Sequence, residues 1–65
     1  MKYGRLRVPL QSKLPGYDKR SMHRVGTRCQ LQRHASDPGL WVLFFGKQYA
    51  IVPAVALPDT VDLEK

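Results

Sequence analysis

The chain has 65 residues and a single cysteine, Cys29, which makes it one domain near the lower size limit for a self-sufficient core and rules out a disulfide within the chain. Its net charge of +6 is segregated: nine of the eleven Lys and Arg residues lie in residues 1–34 against one acid, Asp18, so this half carries +8 and the other 31 residues carry −2. Such a field attracts polyanions; no apolar run approaches the roughly 20 residues of a membrane-spanning helix, and Met1 to Leu10 holds no signal-peptide hydrophobic region.

Leu6, Val8 and Leu10 alternate with Arg5, Arg7 and Pro9, which predicts a first strand over Lys2 to Leu10 with a basic outer face. From Gln11 to Arg24 the alternation disappears. Leu14-Pro15-Gly16-Tyr17-Asp18 is turn chemistry, followed by Lys19, Arg20, His23 and Arg24 without an apolar face, so this segment reads as a long loop. Val25 to His34 resumes alternation, with Val25, Thr27, Cys29 and Leu31 on one face and Arg28, Gln30, Gln32 and His34 on the other. Ser36-Asp37-Pro38-Gly39 is a tight-turn sequence.

Leu40 to Phe45 is wholly apolar, so both faces of this third strand expect cover. Gly46-Lys47 reads as a two-residue hairpin turn into a strand over Gln48 to Val52. Pro53 is expected to end its ladder, and Ala54 to Leu57 suits one helical turn. Asp59 to Lys65 could add a short last strand through Val61 and Leu63. The expected fold is all-β: four to five short antiparallel strands, a long first loop and one short helical turn, in one domain spanning residues 1–65.

This order resembles the SH3-like small barrel, in element order and loop lengths and not through a diagnostic motif. Within it, Tyr49-Ala50-Ile51-Val52-Pro53-Ala54-Val55-Ala56-Leu57 is similar to the strand, proline and helical-turn segment of the plasmid-borne type II dihydrofolate reductases. That resemblance implies a barrel that assembles with copies of itself. It does not imply reductase activity, because Ala50 and Val52 stand where that family's V-Q-I-Y run has glutamine and tyrosine. Peptide-binding SH3 domains resemble one another in an acidic first loop and a paired-tyrosine motif, whereas the first loop here is basic.

Three sets of residues are candidates for function. Arg5, Arg7, Lys13, Lys19, Arg20, Arg24 and Arg28 are expected to converge as a nucleic-acid surface, with Tyr17 and Tyr3 available to stack on bases. The plainer reading is a solvated basic face. Trp41, Leu43 and Phe45, with Tyr49, form a candidate self-association or partner surface, Trp41 and Tyr49 suggesting a peptide groove; the plainer reading is that the long loop covers it. Cys29, His23, His34 and Asp37 lack the close ligand pairs of a zinc site, and Cys29 reads as a small buried hydrophobe. Asp59, Asp62 and Glu64 form an acidic end that could pair with the basic half of a neighbouring subunit.

The sequence therefore predicts a cytoplasmic, non-enzymatic module without a cofactor that binds RNA or DNA. The competing expectation is a protein-docking module or small accessory subunit that meets an acidic protein. Charge reversal at Arg7 and Arg28 is expected to abolish binding without loss of stability.

Overall fold

The alternation that begins at Lys2 does not run to Leu10 as one strand. In the computed structural model, which describes residues 2–16 and 18–64, β1 (Lys2–Leu6) ends where the chain bends at Arg7 and Val8, and β2 (Leu10–Lys13) begins after Pro9. Pro9 has no N–H to donate to a ladder, so it falls naturally at the break. Val8, in phase with Leu6 and Leu10, is left 42% exposed at the corner.

The segment expected to be a long loop carries a hairpin instead. Its second arm, β3 (Arg20–His23), pairs with β2 from Leu10 opposite His23 to Lys13 opposite Arg20. A turn at Val25 and Gly26, the latter at φ 90°, delays β4 to Arg28–Arg33. β5 (Leu40–Phe45) and β6 (Gln48–Pro53) form the expected hairpin, with Gly46 at φ 68° in the turn. Pro53 closes that ladder from within, lying opposite Leu40. A 3₁₀ turn (Ala54–Ala56) runs into α1 (Leu57–Thr60), which takes Asp59 and Thr60 out of the expected last strand and leaves β7 (Val61–Leu63). Seven strands among the described residues thus replace the four to five expected, because one predicted strand divides and one predicted loop pairs.

All seven belong to one antiparallel sheet in the order β3-β2-β6-β5-β4-β1-β7. β2 and β1 are four strand spacings apart in that order, about 19 Å if the sheet were flat. The chain from Leu6 to Leu10 reaches at most about 14 Å. The sheet therefore has to curl, and it forms a half-barrel whose concave side is the core.

Leu6, Cys29, Leu31, Leu43, Val52 and Val61 fill that core, with Leu10, Trp41, Phe45, Ala56 and Leu57 packed against it. Leu31 lies opposite Leu43, and Leu43 opposite Ala50, which fixes the inward phase of the three central strands. Since successive side chains of a strand point to opposite faces, the other phase of each strand forms the convex surface.

Candidate functional site

The inward phase decides which half of the apolar strand β5 is available. Leu43 is 0% exposed and Trp41 and Phe45 are part-buried against the core, so Trp41, Leu43 and Phe45 take the concave phase of β5. The outward set is Leu40, Val42 and Phe44. Tyr49 also points outward, opposite Phe44, whereas Trp41 lies opposite the buried Val52. Trp41 and Tyr49 are consequently on opposite faces and do not form a common groove. Trp41 instead sits between two cations, Lys2 at 5.5 Å and Arg33 at 5.2 Å from its ring centre.

The basic residues form two groups, separated in the sheet by β5 and β6. In the first, Arg5 lies opposite Arg28 across β1 and β4, and both are engaged. Arg28 donates to the Glu64 carboxylate through Nε at 2.8 Å and Nη2 at 3.2 Å, and its guanidinium lies 4.1 Å from the Tyr3 ring centre. Arg5 donates to the Gly26 carbonyl at 3.1 Å and lies opposite Asp62 on β7. The Glu64 hydrogen bond and negative charge push Arg28 above its ordinary pKa, and the Arg28 hydrogen bond and charge, with Arg5 adding to them, hold Glu64 below the usual carboxylate range. The acidic end thus meets the basic half of its own chain. Arg7 belongs to neither group: it donates to the Pro58 carbonyl at 3.0 Å.

The second group is the β2–β3 hairpin. Lys13 lies opposite Arg20, and Lys19 precedes Arg20 in the chain. Like charges facing each other across a strand pair are mutually destabilising, so this pair offers a site where an anion would be favoured. On its other side Lys13 lies opposite Tyr49, with Nζ 5.9 Å from the ring centre. Lys13, Arg20, Tyr49, Ile51, Leu10 and Gln11 line an open groove of about 260 Å³. Arg24 lies at the far end of β3, exposed, and Tyr17 lies outside the described residues.

Sequence reasoning missed Ile51 and Met22 as surface residues and left open whether the Phe44 face or the Trp41 face of β5 would point out. Ile51 and Met22 are 48% and 60% exposed. The continuous apolar run of β5 gave no sign of which phase would face out. The alternation of Cys29 and Leu31 against Arg28 and Gln30, combined with the pairing of β4 and β5, was the available signal.

The concave end near β3 holds a polar network. Ser12, 2% exposed, donates through Oγ to Gln48 Oε1 at 2.7 Å and lies 2.6 Å from His23 Nε2, while Gln48 Nε2 donates to Ser21 Oγ at 3.2 Å. His23 stacks on Phe45 with ring centres 4.0 Å apart. With its one hydroxyl hydrogen given to Gln48, Ser12 accepts from His23. This is the reverse of the Ser-to-His proton path that activates a nucleophile. His34 and Asp37 organise the turn after β4: His34 Nδ1 accepts from the Ser36 and Asp37 amides at 3.2 Å each, and Asp37 Oδ1 accepts from the Gly39 amide at 2.9 Å. Among the described residues no three His, Cys, Asp or Glu side chains gather as metal ligands, and no helix is long and apolar enough to cross a membrane. Ala50 and Val52 are buried at 8% and 4% exposure.

Comparison with protein-family models, curated proteins and solved structures gave no significant match.

Proposed function

We propose that the chain is a small SH3-like barrel that binds nucleic acid without catalysing a reaction, and that the β2–β3 hairpin with its adjoining groove is the binding site. The observation that carries this reading is Lys13 opposite Arg20 on a groove that also contains Tyr49. Two cations facing each other gain most when phosphate oxygens come between them and condensed counterions are released. The wider charge separation of the chain draws the polyanion to the same half of the sequence. Arg5, Arg7 and Arg28, already bonded within the chain, contribute mainly to the long-range field.

The barrel assignment rests on the strand order β7-β1-β4-β5-β6, the tight β5–β6 hairpin and the 3₁₀ turn before the last strand. Fold does not dictate function, so the site carries the argument. A lone cysteine suits the reducing cytoplasm.

A second reading, a module that docks on an acidic protein or on a further copy of itself, draws on the exposed apolar side chains Met22, Ile51 and Val55, the last 90% exposed. Labelled RNA and DNA titrated with the protein at two salt concentrations, read by anisotropy, separate the two. Salt-sensitive binding that weakens in Lys13→Gln/Arg20→Gln supports the first reading. Absence of binding at low salt by folded protein removes it in favour of protein docking. Trp41 is a poor reporter for this titration because it packs against the core.

A further inference from the structure

On the convex surface, strand register sets out two parallel rows. Phe44, Tyr49, Lys13 and Arg20 form one, each residue lying opposite the next across β5, β6, β2 and β3. The other is made of two separate pairs, Val42 opposite Ile51 and Gln11 opposite Met22, with the groove that Ile51 and Gln11 both line between them. At about 4.8 Å per strand, the first row runs about 14 Å. The cations lie at the β2–β3 end of the first row only. The rest of the patch, Phe44, Tyr49, Val42, Ile51 and Met22, is aromatic or aliphatic, and Ile51 and Met22 are exposed.

That composition distinguishes between forms of nucleic acid. In a duplex the base faces are stacked inside and the outer surface is phosphate and sugar, so a duplex seated on Lys13 and Arg20 would hold charged phosphates against Tyr49 and Ile51, at a cost in desolvation. A single strand presents both kinds of surface, with phosphates on one side and unstacked base faces on the other. We infer that the ligand of this face is single-stranded nucleic acid, with its phosphates at Lys13 and Arg20 and its bases against Tyr49, Ile51 and Phe44. A base stacked on Tyr49 takes the position over the ring that Lys13 Nζ now occupies at 5.9 Å, which turns Lys13 toward the neighbouring phosphate.

The inference rests on the nucleic-acid reading above, and its test separates the two. A fluorescently labelled pyrimidine oligonucleotide and its duplex are titrated with wild type, Tyr49→Ala, Tyr49→Phe, Ile51→Gln and Lys13→Gln/Arg20→Gln, at several salt concentrations. Circular dichroism confirms the fold of each, and Ile51→Gln covers the case in which Tyr49→Ala does not fold. The single strand is expected to bind at least about ten-fold more tightly than the duplex. Tyr49→Ala should weaken single-strand binding about five-fold or more with little change in salt slope, Tyr49→Phe should retain it and Ile51→Gln should weaken it. The double cation variant should flatten the salt slope by about one to two.

Equal binding of both forms, with Tyr49→Ala and Ile51→Gln unaltered and only the cation variant weakened, overturns the single-strand assignment and leaves nucleic-acid binding standing. No binding of either form to folded wild type at low salt overturns both.

Discussion

The Arg28 guanidinium holds the Glu64 carboxylate in a two-point contact of 2.8 and 3.2 Å, fixing the C-terminal end of the sheet to β4 across β1. Glu64 is titrated below the usual carboxylate range by this contact. A carboxylate with a lowered folded pKa adds stability above its unfolded value, about 4.3, and loses it as pH falls through the folded value. Both partners are solvated, so the effect is small. Urea midpoints of wild type and Glu64→Gln should therefore differ slightly at pH 7 and converge once the pH is well below 4. A difference that persists unchanged at acid pH would show that the substitution acts through something other than the lost charge.

The same contact changes which arginine variants report on binding. Arg28→Gln releases Glu64 and removes the cation stacked on Tyr3, so it should lower stability more than affinity for nucleic acid. Lys13→Gln/Arg20→Gln relieves a like-charge pair, so it should leave stability equal or slightly higher while weakening binding. Thermal melts and anisotropy titrations of both variants check this, and the reverse pattern would move the site to β1 and β4. Charge reversal at Arg7 and Arg28 is a poor probe of the surface, because both side chains hold the chain together at Pro58 and Glu64.

How far the fold could be read in the sequence follows from where its side chains point. The β5–β6 hairpin was legible because Gly46-Lys47 is turn chemistry between two apolar runs. β3 was not, because its inward residues, Ser21 and His23, are themselves polar and join the Ser12–Gln48 network, so hydrophobic alternation had nothing to register. The break at Arg7–Pro9 was hidden by a period that stays in phase through Val8, leaving Pro9 as the sole local sign. For the candidate site, the sequence supplied Lys13 and Arg20 but not their pairing. It offered both phases of β5 as equals, and choosing between them required Leu31 to be placed opposite Leu43.

Gly4 lies opposite Cys29 on one side and Leu63 on the other, and a methyl group there would collide with the Val61 side chain and come within 2.9 Å of the Asp62 carbonyl oxygen and 3.3 Å of Leu31 Cδ1. The carbonyl is backbone and has little room to yield. Gly4→Ala should cost about 1–3 kcal/mol, the range for overpacking a well-filled core. Urea unfolding should show this as a lower midpoint at unchanged slope. A neutral result would mean that β7 moves away from β1 freely.

Ser12→Ala removes a buried hydroxyl that satisfies both Gln48 and His23. Leaving those groups without their partner should cost about 1–3 kcal/mol, with a larger loss than Ser21→Ala, which removes only the 3.2 Å contact from Gln48. Denaturant midpoints of the two variants make the comparison. Equal losses would place Ser21 as deeply in the network as Ser12.

Cys29, 2% exposed among Leu6, Leu31 and Val61, has its thiol pKa raised by burial, with the nearby Glu64 charge adding to the effect. Thiolate is the reactive form, so both access and ionisation hold it back in the native state. An aromatic disulfide reagent at pH 8 should modify Cys29 slowly in folded protein, at the rate of opening, and rapidly in concentrated urea. Since the folded pKa lies above the unfolded one, this group's contribution to stability is complete below about pH 8.5 and is lost as pH rises through the folded value. Cys29→Ala should therefore lose less stability than wild type between pH 8 and 10, although it starts lower at pH 7 through lost packing. Rapid native-state labelling at a rate independent of urea would mean that β1 and β4 separate readily around Cys29, which would contradict its place in the core.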